Sequence, residues 1–272
     1  MLHVLLPTDY SDNSFHAALY AAHLLGRDGV EYTLVHTYLD ADPSISSWTG
    51  MAEELYKAAL DGMREWESRI KAAEVFQGAT IRSEVIYGPL PALLNEMGAQ
   101  HGADLVVMGT LGHSGAGVLG SNAVAVVKHS KFPVLVVPNK AKLQQVRRIL
   151  FADDQRGVDA ADMQVLVDLA RQTASEVVLA HVLRTGDEMP NADLIARFDD
   201  LFKDIPHRFV AEEGKDAASA IDFLAAREEA DMIAVMHRHM SFFEGLFRSS
   251  TAKRLTLYSD MPLLVLLDRD TW

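Results

Sequence analysis

The sequence contains no cysteine among its 272 residues. That excludes a disulfide framework, a thiolate nucleophile and any cysteine-based metal site. No uninterrupted apolar run approaches the roughly 18 to 20 residues that a membrane span requires. The amino-terminal stretch MLHVLLPTDYSD lacks a basic region followed by an apolar segment, so a cytoplasmic location and no membrane partner are expected. Basic residues are in deficit, 25 against 38 acidic, for a formal net charge of -13. The deficit is shared, with 9 basic and 15 acidic residues in 1–140 and 16 and 23 in 141–272. Such a field repels phosphate backbones, so nucleic acid is excluded as the expected partner, and an anionic nucleotide would need local backbone amides. Prolines number only 9, while apolar residues make up 49%, the balance of a globular chain with a substantial core.

What is present is a repeat. VLLPTD (4–9) returns as ILFADD (149–154), and LVHTYL (34–39) returns as LAHVLR (179–184), both displaced by 145. ADLVVMGT (103–110) returns as ADMIAVMH (230–237), displaced by 127, and SKFPVLVVP returns as SDMPLLVLL, displaced by 129. Four segments in the same order define two related halves, 1–140 and 146–272, joined at the polar stretch NKAKLQQVRR.

Within the first half, HVLLPTD predicts a short buried strand ending at Asp9, followed by a helix that Ser11 or Asp12 caps. A second strand, VEYTLVHTYL, precedes a long helix over 52–73 with an apolar stripe of Leu55, Ala59, Met63, Trp66 and Ile70. TIRSEVIYG, ADLVVMG and FPVLVVP complete five strands alternating with helices. That alternation predicts a parallel α/β sheet covered on both faces, built twice.

The stretch GTLGHSGAGVLGS (109–121) puts five glycines and two serines where the fourth strand hands over to a helix. Glycine lets amides turn inward without a Cβ, and the helix start favours an anion. The loop is neither a Walker P-loop, since no Gly-Lys-Ser or Gly-Lys-Thr occurs, nor a dinucleotide fingerprint, which follows the first strand of a unit. A ligand-free turn is the other reading of the same residues.

Taken together, LLPTD, the long second helix, YGPL at 87–90 and VVMGTLGHSGAGVLGSNAVAVVKHSKFPVLVVP resemble the universal stress protein family, in its tandem form. The resemblance implies two doubly wound, parallel five-stranded sheets of the Rossmann-like, adenine-nucleotide alpha-hydrolase-like type, paired through their last strands as an intramolecular pseudo-dimer. It also implies a stress-response binding or regulatory protein whose first half takes ATP or AMP, with magnesium accompanying ATP. By position the nucleotide set is Asp9, Gly109, Gly112, Gly120 and Ser121, with Gly88 a further match. Seven residues separate Gly112 from Gly120, where the family pattern Gly-x2-Gly-x9-Gly-Ser/Thr has nine. In the second half Met236, His239 and Ser249 stand at the three glycine positions, so no ATP is expected there.

Other constellations are weaker. His237 and His239, two apart, are the minimum for a shared metal, but no third ligand lies near, and filling of a vacated cleft with Phe242, Phe243 and Phe247 is the alternative. His36 and His181 occupy equivalent strand positions, which favours a structural role. His113, Ser114 and Asp9 do not form a nucleophile elbow, because GHSGAG is one residue short of Gly-x-Ser-x-Gly. The adjacent pairs Asp153–Asp154 and Glu53–Glu54 read as solvated faces. No residue set makes a complete catalytic machine. The rival functions are a slow ATPase in which Asp9 holds a metal phosphate, and a nucleotide-independent scaffold for an unidentified protein partner. A homodimer beyond the pseudo-dimer has no support in the sequence.

Overall fold

A computed structural model describes residues 1–38, 49–110, 120–153, 157–183, 192–214, 216–237 and 260–268. The chain forms two compact units, Met1–Asn139 and Lys140–Trp272. In the first, the order is β1 (Leu2–Pro7), α1 (Asp12–Leu25), β2 (Val30–Tyr38), α2 (Thr49–Ala72), β3 (Thr80–Tyr87), α3 (Leu90–His101), β4 (Leu105–Gly109), α4 (Ser121–His129) and β5 (Val134–Val137). Its strands lie in the order β3-β2-β1-β4-β5, all parallel.

The second unit runs β6 (Arg148–Asp153), α5 (Ala160–Thr173), β7 (Glu176–Leu183), α6 (Ala192–Leu201), β8 (His207–Glu213), α7 (Ala217–Arg227), β9 (Met232–His237) and β10 (Leu263–Leu267). Its strand order, β8-β7-β6-β9-β10, matches the first, again all parallel. The segment joining β9 to β10 lies outside the described residues.

The central strands are continuous apolar runs because helices cover both faces of a parallel sheet. Val4, Leu5, Val106, Val107, Leu135 and Val137 are all buried, and so are Ile149, Leu150, Val178 and Leu179 in the second unit. The edge strand β3 instead alternates exposed and half-buried positions. Ser11 caps α1, accepting from the Ser14 amide at 3.2 Å. Along α2 the predicted stripe holds for Ala59, Met63, Trp66 and Ile70, which are buried, but Leu55 is exposed one turn before that seam begins.

The repeat extends to polar fixings at the amino ends of the strands, which carry no motif in the sequence. Asp104 accepts the His3 amide at 2.8 Å, and Asp231, its equivalent, accepts the Arg147 and Arg148 amides at 2.8 and 3.1 Å. Glu31 pairs with Arg82 at 3.0 Å, while the equivalent Glu176 lies 2.8 Å from Arg208 and 3.2 Å from Arg148. Arg208 goes on to Glu228 and Glu228 to Arg227, each at 2.7 Å. These charges tie neighbouring strands together at the end of the sheet opposite the site.

Candidate functional site

In a strand order of 3-2-1-4-5, successive connections wind in opposite directions on either side of β1 and β4. A crevice opens beyond the carboxyl ends of those two strands. A cavity of about 300 Å³ lies there in the first unit. Pro7, Thr8 and Asp9 supply it from the end of β1, His36 and Thr37 from β2, and Met108, Gly109 and Thr110 from the end of β4. Leu90 adds an apolar side chain, and Gly120, Ser121, Asn122 and Ala123 bring the first turn of α4.

The two sides of this cavity differ chemically. On the β1 side, Asp9 takes the Ser11 amide on Oδ1 at 3.1 Å, which fixes its carboxylate in a tight turn. Tyr10 follows in the left-handed region, φ 64°, with its amide donating to Thr8 Oγ1 at 2.9 Å. His36 Nδ1 lies 2.9 Å from the Thr8 carbonyl oxygen. A carbonyl only accepts, so that nitrogen carries the proton, and in the neutral ring Nε2 is an acceptor. Burial pushes the His36 pKa down, outweighing the Thr8 carbonyl and the Asp9 charge that pull it up, which favours the neutral ring. This side therefore presents acceptors.

On the α4 side the cavity meets donors. The N-cap of α4 is Gly120, which has no side chain to accept from the first turn. The opening amides of a helix have no intrahelical acceptor, and they carry the positive end of its dipole. Ser121 adds a hydroxyl at the same place.

Of the residues predicted for a nucleotide, Asp9, Gly109, Gly120 and Ser121 come together on this cavity, and Gly112 lies outside the described residues. Gly88 stands apart from it at the start of the β3–α3 turn, φ 138°, donating its amide to the Tyr38 carbonyl at 3.1 Å. Gly109 has a second reason to be glycine. A Cβ there would stand 2.6 Å from Asn13 Nδ2 and 2.9 Å from its Cγ, so the start of α1 packs directly on this backbone. Asn13 and Tyr10 carry no recognisable motif in sequence, and only the close approach of β1, α1 and β4 reveals them.

The second unit departs from the first at the same place. Register sets Met236 opposite Leu266 just as Gly109 sits opposite Val137. His181 Nδ1 lies 3.2 Å from the Asp153 carbonyl, as His36 does from Thr8, so the paired histidines do hold the strand ends in both halves. Thr8 and the N-cap Ser11 are separated by two residues, whereas Asp153 and the N-cap Asp159 are separated by five. Counted from each cap, Asn13 corresponds to Ala161 and Ser14 to Asp162. Asp153 and Asp162 are both buried, so the reading of Asp153 as a solvated face fails: it ends a strand in the interior instead. Asp154, His239, Phe242, Phe243, Phe247 and Ser249 lie outside the described residues, as do His113 and Ser114. His237 ends β9 opposite Leu267, and the described residues contain no group of three side chains able to hold a metal ion.

A doubly wound α/β unit built twice, with a crevice at the reversal of strand order in the first copy, defines the class. The universal stress protein family model matches residues 1–138 and 145–266, so the chain belongs to that family in tandem form. A universal stress protein of Methanocaldococcus jannaschii is 31% identical over 146 residues, which cover 51% of this chain and 83% of the relative. The crystal structure of a universal stress protein from Archaeoglobus fulgidus covers 99% of this chain and 97% of its own, with a TM-score of 0.73 and 21% identity. A universal stress protein solved in complex with cAMP is 28% identical over 51% of this chain and 97% of its own, with a TM-score of 0.39.

Proposed function

We propose that the crevice of the first unit binds an adenine nucleotide, ATP or AMP, and that the protein is a stress-response binding and regulatory module. The observation that carries this reading is the uncapped start of α4 on a cavity whose other side offers acceptors. Phosphate fits the amides and the Ser121 hydroxyl, while the hydroxyl and amino donors of a nucleoside fit the Asp9 carboxylate and His36 Nε2. The Asp9 charge disfavours the opposite orientation. At about 300 Å³ the cavity is at the small end of ligand pockets, in keeping with a mononucleotide. The second unit, with Met236 in place of Gly109, binds no ATP in this reading. No helix among the described residues is long and apolar enough to cross a membrane, and the proposed location is the cytoplasm.

Isothermal titration of the full chain with ATP, AMP and cAMP, with and without magnesium, tests the proposal. Saturable binding at micromolar concentration is expected with ATP or AMP. In Ser121→Ala one donor to phosphate is lost, which weakens binding by about fivefold, the equivalent of about 1 kcal/mol. No heat and no thermal shift up to millimolar nucleotide would overturn it and leave the protein-interaction scaffold. Magnesium-dependent phosphate release that Asp9→Asn abolishes would favour the slow ATPase.

A further inference from the structure

The wall of the crevice is held from behind by a residue that does not line it. Tyr10 stacks on His36 with ring centroids 4.2 Å apart and planes 20° from parallel. Its hydroxyl donates to the Ala59 carbonyl of α2 at 2.8 Å, and its amide is held by Thr8. Gly62 of α2 makes room for the ring, since a Cβ there would stand 2.7 Å from Tyr10 Cε2. Trp66, a turn further along α2, lies against the same ring at 5.9 Å. The side chain thus spans from α2 to the imidazole at the cavity, and its left-handed backbone sits directly after Asp9.

We infer that Tyr10 is a positioning residue for this crevice, holding the His36 imidazole and the turn that carries Asp9 in place against α2. The inference rests on the nucleotide reading for its effect on binding, but not for its effect on His36. Tyr10 covers one face of the ring, the Thr8 carbonyl holds Nδ1, and Val85 is the β3 residue in register with His36. Asp9 is the charged group that acts on the imidazole. Without the tyrosine ring, water reaches the imidazole, and the penalty that burial imposes on its charged form shrinks. Because α2 supplies both the Ala59 carbonyl and the Gly62 seat, any shift of α2 moves the acceptor side of the crevice.

The test combines a pH titration of the His36 imidazole by NMR in the unliganded full chain with AMP titration calorimetry. His36 signals are assigned by their loss in His36→Gln. Tyr10→Gly removes the ring while suiting the positive φ, which keeps the turn intact. The His36 midpoint should move up toward the ordinary imidazole range, and AMP affinity should fall about tenfold. Tyr10→Phe, which keeps the stacked ring and loses only the bond to Ala59, should stay within about threefold of wild type. Gly62→Ala, which displaces the ring from α2, should move both readouts in the direction of Tyr10→Gly, and it decides the matter if Tyr10→Gly does not fold. An unchanged midpoint in these variants overturns the inference, as does a fall in affinity with the midpoint fixed. Absence of both ATP and AMP binding in wild type would overturn the nucleotide reading alone, leaving the midpoint shift to decide the role of Tyr10.

Discussion

Replacing Gly109 with alanine is expected to lower the melting temperature of the first unit by several degrees and to abolish nucleotide binding, both through the same steric contact with α1. An added Cβ would meet Asn13 at 2.6 and 2.9 Å in the side chain and 3.1 Å at the backbone oxygen. The amide end of Asn13 can rotate away, but the backbone oxygen can yield only by moving the start of α1. Overpacking of this kind costs about 1 to 3 kcal/mol, which corresponds to roughly 2 to 4 °C per kcal/mol in a domain of this size. Gly109→Ala alone therefore cannot test a phosphate cradle, because a displaced α1 also displaces the turn that carries Asp9. The informative variant is Gly109→Ala combined with Asn13→Ala. Thermal melts should show the side-chain part of the lost stability restored, a coupling expected for groups in contact, while the part due to the Asn13 backbone oxygen remains. The second unit already carries that combination in principle, with Met236 on the strand and Ala161 on the helix. A single variant that melts at the wild-type temperature would mean that Asn13 does not press on Gly109.

That double role explains why the glycine loop was only half legible. The pattern in 109–121 signals that backbone must come close to something, and sequence cannot say whether the partner is phosphate or another part of the protein. The structure supplies Asn13 as one such partner, through a helix whose first turn crosses the end of β4. By contrast, the strands were legible as apolar runs, and the two halves as one pattern written twice, because both follow from burial on two faces. The stripe of α2 was legible from Ala59 onward for the same reason. Asp153 was misread because a carboxylate beside another looks solvated, whereas the repeat aligns it with Thr8, just past the end of β1, and the structure buries it. The positions of Thr8, Ser14, Asp153 and Asp162 become comparable only when the three extra residues before α5 are counted from the caps. Caps of different chemistry, serine in one half and aspartate in the other, hide that count in the sequence.

Arg82→Met is expected to destabilise the first unit by about 2 to 3 kcal/mol, and Arg208→Met to cost the second unit less than about 1 kcal/mol, although the two arginines are equivalent. The difference lies in what each leaves behind. Glu31 is only 2% exposed, and besides Arg82 at 3.0 Å its partner is His3 at 4.0 Å, which helps only when protonated. Losing Arg82 strands a buried carboxylate. Because the Arg82 side chain is itself 58% exposed, water enters where it stood, which keeps the expected loss below the roughly 3 to 5 kcal/mol of a fully enclosed pair. When Arg208 is removed, Glu176 retains Arg148 at 3.2 Å and Glu228 retains Arg227 at 2.7 Å. Both carboxylates stay paired, and only the energy of a part-exposed pair is lost. Denaturant unfolding of each single variant measures the contrast. Glu31→Leu combined with Arg82→Met should return close to wild type, since the cost comes from the uncompensated charge rather than from the absent pair. Equal losses for Arg82→Met and Arg208→Met would show instead that the branched network of the second unit does not share its charges, and that the amino edge of each sheet depends on one arginine alone.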